Sequence, residues 1–249
     1  MKKMIMIPLA TCLIASMASA EVSLTTDFAS AYVFRGATLN DSFVVQPGFA
    51  ATGLGLPEKY GMVLFGVWGN YTLSDYGSSE GSNFSEIDWY GAYYLPSLAT
   101  GLNLSIGYTE YTYGSGSGVN VSGTSEAEVN LEAAYEIAGA SIGIRYNQGV
   151  GGVVGTSAYT ELTLGYGASI TTNLSGSVTA HVGYAAPDSG PSGIQMYDIG
   201  GSLLYALNEM WGVNASLTYI GQGDEDVLPD GLYGYDVNFV GKIGLSCAL

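Results

Sequence analysis

Between Glu126 and Ile137 the chain alternates without a break. Glu126, Glu128, Asn130, Glu132, Ala134 and Glu136 share one parity; Ala127, Val129, Leu131, Ala133, Tyr135 and Ile137 share the other. A helix would scatter those glutamates around its circumference, whereas a strand collects them on one face. From Leu232 to Leu249 the same period sets Tyr233, Tyr235, Val237, Phe239, Ile243, Leu245, Cys247 and Leu249 against Asp236, Asn238, Lys242 and Ser246. Strands with one greasy face and one polar face, in a chain that reads as exported, describe a transmembrane β-barrel.

Export is read from the first twenty residues. Lys2 and Lys3 precede an uncharged, mostly apolar stretch, Met4 to Met17, and then the small residues Ala18-Ser19-Ala20. This predicts a signal peptide over 1–20, with an apolar part too short to span a bilayer. Residues 21–249 then form one barrel domain holding all 22 acidic residues, with only Arg35, Lys59, Arg145 and Lys242 as bases. Such a balance argues against nucleic acid, whose phosphates it repels. Cys247 is the one cysteine outside the leader, so no intramolecular disulfide is expected. No metal or cofactor motif is present: Gly114–Gly118 lacks the lysine of a phosphate loop, and Asp224-Glu225-Asp226 with Asp230 does not match a calcium loop. The charge-free runs Trp89–Thr109 and Leu162–Pro187 are broken by Pro96 or by Gly-rich turns and do not read as transmembrane helices.

Alternation between turn clusters predicts an all-β chain, a single antiparallel barrel of twelve strands. The strands are Glu21–Arg35, Ser42–Leu54, Tyr60–Leu73, Phe84–Leu95, Gly101–Tyr113, Glu126–Ile137, Ala140–Gln148, Ser157–Tyr166, Gly176–Ala185, Tyr197–Leu207, Trp211–Ile220 and the terminal Leu232–Leu249. Short connections such as Ala138–Gly139 alternate with long polar ones such as Ala186–Met196 and Gly221–Gly231. Outer-membrane barrels show this rhythm, with tight periplasmic turns and longer external loops, so both termini are expected in the periplasm. Gly36–Asp41 is the exception: a short connection where a long one is due.

With the apolar parity facing lipid, the lumen receives Glu86, Asp88, Glu126, Glu128, Glu132, Glu161, Asp198 and His181. Glu110 breaks the parity and is expected in a loop or beyond a bulge. A two-residue turn at Ala138–Gly139 sets Arg145 opposite Glu132. At the seam between last and first strands, Arg35 is expected beside Asp236, and Lys242 beside Asp27. The remaining carboxylates make the lumen negative, favouring cations, while inward Tyr90, Tyr111, Tyr113 and Tyr159 narrow the bore. The expected partners are outer-membrane lipid and small solutes or cations; the oligomeric state is open.

Thr26-Asp27-Phe28-Ala29-Ser30-Ala31-Tyr32-Val33-Phe34-Arg35-Gly36, followed by Gln46-Pro47-Gly48, resembles the opening of the TorF-type porin family. In that family a Tyr-x-(Phe/Trp)-Arg-Gly element ends the first strand, and Trp68-Gly69-Asn70 and Glu86-Ile87-Asp88 extend the resemblance to about residue 90. It implies an outer-membrane location and a porin role, and names no solute. Two rivals stay open. One is a closed barrel acting as a surface or structural protein through its external loops. The other is an outer-membrane hydrolase built on His181, the only histidine.

Overall fold

Twelve strands pair antiparallel with their neighbours and the first pairs with the last, so the sheet closes and no wall edge is left. The computed structural model describes residues 21–53, 57–74, 83–114, 125–152 and 155–249. In chain order the wall strands are β1 (Glu21–Ala29), β4 (Val44–Thr52), β5 (Met62–Thr72), β6 (Phe84–Tyr94), β7 (Leu102–Tyr113), β8 (Ser125–Ile137), β9 (Ala140–Gly151), β10 (Ala158–Ser169), β11 (Leu174–Ala186), β12 (Gly193–Ala206), β13 (Trp211–Gln222) and β14 (Phe239–Ala248). Two short strands, β2 (Tyr32–Phe34) and β3 (Ala37–Asn40), pair only with each other. Residues 1–20 and 115–118, the expected leader and most of the Gly/Ser loop, lie outside the described residues.

Alternation places the side chains as strand geometry demands. Ile106, Leu131, Ile144, Leu164, Ile199 and Leu217 point out of the barrel and are exposed at mid-height. Aromatic residues gather above and below them: Phe28, Phe43, Phe84 and Phe239 near the long-loop end, Tyr93, Tyr135, Tyr166, Tyr205 and Trp211 near the end holding the termini. An apolar band between two aromatic girdles matches a lipid-facing wall. The turn Ala138–Gly139 has positive φ at both residues, 50° and 86°, the conformation that keeps two strands in register across a two-residue link.

The first and last strands are shorter than their alternation suggests. The chain leaves the wall after Ala29, not Arg35, and Tyr32 to Asn40 turn into the barrel as the β2–β3 hairpin. Arg35 and Gly36 form its tip, with φ of 50° and 84°. At the other end β14 begins at Phe239, so Leu232 to Asn238 are not strand. Gly231 and Tyr233 have φ of 112° and 60°, which breaks the extended path. This loop tucks over the hairpin: Thr38 N donates to Gly234 O at 2.7 Å, and Val237 N donates to Thr38 Oγ1 at 3.0 Å. Glu110 is within β7, in unbroken register between Trp89 and Ala127, and needs neither loop nor bulge.

The molecule's apolar core is therefore inside the barrel at its long-loop end. Ala29, Ala31, Tyr32, Val44, Ile220 and Val240 are buried together, with Val33, Phe34, Leu39, Trp68, Tyr235 and Val237 packed against them.

Candidate functional site: the lumen and its hairpin

β1 and β4 are neighbours, and β9 and β10 lie across the bore from them in the strand order. The hairpin rises between β1 and β4 and reaches that far wall. Tyr32 donates its hydroxyl to Glu86 Oε2 on β6 at 2.8 Å and packs 5.4 Å from Trp68 on β5. Phe34 meets Tyr111 on β7 at 5.6 Å. The Arg35 guanidinium forms two 2.7 Å hydrogen bonds to Glu128 on β8 and lies 4.2 Å from the Tyr159 ring on β10. Gln195 on β12 donates to the Arg35 carbonyl at 2.8 Å. A Cβ at Gly36 would meet Met196 at 2.8 Å and Leu228 at 2.9 Å, so the tip is pressed against the opposite side. The hairpin spans the lumen.

Three bulges shape the wall at this height. Register shifts fall beside Glu86 on β6, opposite Glu128 on β9, and between Met196 and Ile194 on β12. The third leaves Gln195 as the extra residue, re-aimed inward to bind the hairpin tip. Gly183 has a related role, for a Cβ there would overlap the Tyr159 hydroxyl that lies across it.

Four carboxylates surround this tip. Glu86, Asp88 and Glu128 are buried; Glu126 is half-buried and accepts from Tyr113 at 3.1 Å. Glu128 also accepts from Tyr111 at 3.1 Å. Asp88 Oδ1 and the Tyr159 hydroxyl are buried without hydrogen-bond partners. A buried ion pair is held in place by what it costs to separate: removing one partner of such a pair destabilises by about 3–5 kcal/mol.

Nearer the terminal end, the wall of β8 to β12 carries a second set of charges. Glu132, Arg145 and Glu161 stand side by side on adjacent strands. Arg145 Nε donates to Glu132 Oε2 at 3.0 Å, and Nη2 reaches the same oxygen. His181 Nδ1 lies 2.6 Å from Asp198 Oδ1, with Thr163 opposite it on β10. Among the described residues, no group of three His, Cys, Asp or Glu side chains is placed to hold a metal ion. In the acidic loop Asp224 Oδ1 instead caps Asp226 N at 2.9 Å, and Asp230 accepts from Gln222 at 2.9 Å.

Glu86, Asp88, Glu126, Glu128, Glu132, Glu161, His181 and Asp198 are buried or half-buried on the parity opposite the exposed apolar residues, and one of the expected partnerships differs. Arg35 pairs with Glu128 and not with Asp236, because the chain that bears it leaves the seam and crosses the bore. Lys242 stands beside Asp27 across the seam, close enough for their charges to act on each other, and donates its hydrogen bond to Gln46 Oε1 at 3.2 Å, Gln46 being the register partner of Asp27. Asp27 lies 3.4 Å from the Asn214 amide. The inward roles of Tyr32 and Trp68, and any role for Gln195 and the loop around Gly234, escaped the sequence reading. The only hint of them was the short Gly36–Asp41 connection.

A family model described as "Bacterial protein of unknown function (Gcw_chp)" matches residues 15–233. No curated protein matches the sequence. Among solved structures, the chain is similar to an outer membrane channel from Pseudomonas putida F1, with TM-score 0.56 and 9% identity over 94% of this chain and 97% of that one. The NanC porin gives TM-score 0.53 and 9% identity over 92% and 100%. The KdgM porin gives 0.52 and 7% over 91% and 98%. At such identities what is shared is the barrel fold.

Proposed function

The chain belongs to the Gcw_chp family, and from its barrel we propose that it is an outer-membrane channel for passive diffusion of small solutes, with an acidic, cation-preferring lumen. The observation that carries this reading is the near-complete confinement of charge, Glu110 beside the exposed Trp89 at the long-loop end of the wall being the exception. An apolar band with aromatic girdles faces outward, while Glu86, Asp88, Glu126, Glu128, Glu132, Glu161 and Asp198 face inward against Arg35, Arg145 and Lys242. Carboxylates along a bore attract cations and repel anionic solutes. The similar folds of channels and porins support the reading, as does the TorF-like opening of the sequence. A KdgM porin was solved with oligogalacturonate, which is anionic; this lumen suits the opposite charge. In this reading both termini and the short turns face the periplasm.

The test is the reversal potential of the purified protein in a planar bilayer under a KCl gradient. The expected result is discrete conductance steps with a cation-selective reversal potential, shifted towards zero by Glu132→Gln combined with Glu161→Gln. A folded barrel that passes no current would contradict the channel. It would favour the second reading, a closed barrel acting through its external loops, which the hairpin across the bore supports.

A further inference from the structure

Arg35 sits in the lumen as a tethered ligand would. Its planar fork meets Glu128 through both nitrogens, the geometry that guanidinium and carboxylate share. The same carboxylate is fixed by the Tyr111 hydroxyl, and the cation lies over the Tyr159 ring at 4.2 Å. These three groups come from β8, β7 and β10, and none from the hairpin. The wall therefore holds a complete guanidinium seat, whatever fills it. The Tyr159 hydroxyl, buried at its edge, has no hydrogen-bond partner.

The segment that delivers Arg35 is built differently from the wall. β2 and β3 form their own two-stranded sheet, outside the closed ladder. The hairpin's base is held by the packing of Tyr32, Val33 and Leu39 in the core, by the bonds of Thr38 to Gly234 and Val237, and by Asn40 to Ser74. Its tip is held by the side chains of Phe34, Arg35 and Gln195. For Arg35 to leave its seat the wall ladder need not break, only the side chain's own bonds to Glu128 and its place over Tyr159.

We propose that the seat formed by Glu128, Tyr111 and Tyr159 is a recognition site for small solutes bearing a guanidinium group, with Arg35 as its resident placeholder. A solute of that class takes the two-pronged contact and the ring face when the Arg35 side chain leaves the seat, the base of the hairpin staying in the core. A neutral isostere leaves Glu128 buried and unpaired and is rejected. A tethered competitor acts at an effective concentration of roughly millimolar, so free solute competes poorly until Arg35 is removed. The assignment of this solute as cargo rests on the channel reading; binding at the seat does not.

The experiment is calorimetric titration of the purified protein in detergent with L-arginine and with its neutral isostere L-citrulline. Arg35→Ala should bind L-arginine at least about tenfold more tightly than the unaltered protein. L-citrulline should bind neither, and Arg35→Ala with Glu128→Gln should lose the gain. The proposal is overturned if Arg35→Ala gains no arginine affinity, if citrulline binds equally, or if the double variant keeps the gain. Should Arg35→Ala fail to fold, Trp68 reports in its place. With Trp89→Phe and Trp211→Phe it is the sole tryptophan, and Tyr32 of the hairpin packs against it. L-arginine raised well above the roughly millimolar effective concentration of the tethered Arg35, but not L-citrulline at the same concentration, should then shift its emission, and a signal that stays silent there overturns the proposal. Binding without conductance would sink the channel alone; conductance without binding would sink this site alone.

Discussion

Two sets of charges share one lumen and are built on opposite terms. At the long-loop end, Arg35 and Glu128 are enclosed by Phe34, Tyr111 and Tyr159, with side-chain exposures of 17% and 5%. Towards the terminal end, Arg145 and Glu132 lie along an open wall, at 36% and 12%. The first pair joins residues 93 apart in sequence and fastens a separate hairpin to the barrel. The second joins neighbouring strands across a two-residue turn and fastens what the ladder already holds. The same ion-pair chemistry does two things: where the ladder is absent it determines the fold of the segment, and where the ladder is present it colours the surface.

That contrast predicts unequal mutational costs. Glu128→Ala strands a buried guanidinium and should destabilise the hairpin by about 3–5 kcal/mol. Glu132→Ala leaves Arg145 within reach of water and Glu161 and should cost about 1 kcal/mol or less. Urea midpoints together with limited proteolysis of the 30–43 segment separate the two, and equal effects would erase the distinction. A smaller change comes from the wall itself. Gly183→Ala pushes the Tyr159 ring off its glycine and away from Arg35, at a cost of about 1–3 kcal/mol from crowding. Gly241→Ala, where a Cβ has open space, should stay within about 0.5 kcal/mol in the same assay.

The smallest effect belongs to the exposed loops. Asp188 accepts from the Thr156 backbone N–H and hydroxyl, and those bonds hold its carboxyl below the usual 3.8. A carboxyl whose folded value is depressed contributes fully above its unfolded value and loses that contribution as pH falls through the folded one. The clasp between these loops should therefore be intact at neutral pH and fade below pH 3.8. Cleavage of residues 186–192 by an acid-active protease, compared with Asp188→Asn, measures it. The variant should be more susceptible at pH 6 and indistinguishable at the lowest pH.

The wall was legible in the sequence because strand parity and lipid impose the same constraint. Each inward carboxylate alternates with an outward apolar residue, and one turn, Ala138–Gly139, sets the register that brings Arg145 to Glu132. The hairpin was not legible, for the same reason. Tyr32 and Phe34 continue the parity of Val22, Leu24 and Phe28, so periodicity alone carries β1 straight through Ser30 and Ala31. Burial inside the barrel asks for the same apolar residues as exposure to lipid outside it. Likewise Tyr233, Tyr235 and Val237 keep the alternation of β14 although they belong to the loop that braces the hairpin. The missing long loop at Gly36–Asp41 was the physical clue, since a short connection at that end leaves the hairpin no route but inward.

If the barrel is the channel proposed, the hairpin that spans its lumen, and not the wall, sets the bore. This is tested most directly by comparing single-channel conductance of the unaltered protein with that of a variant whose residues 31–42 are replaced by a short glycine turn. The variant should conduct several-fold more, with longer open times, while its barrel remains folded and keeps the cation-selective reversal potential proposed for the lumen. Equal conductance from the two proteins would contradict it, placing the constriction in the wall and leaving the hairpin a structural brace.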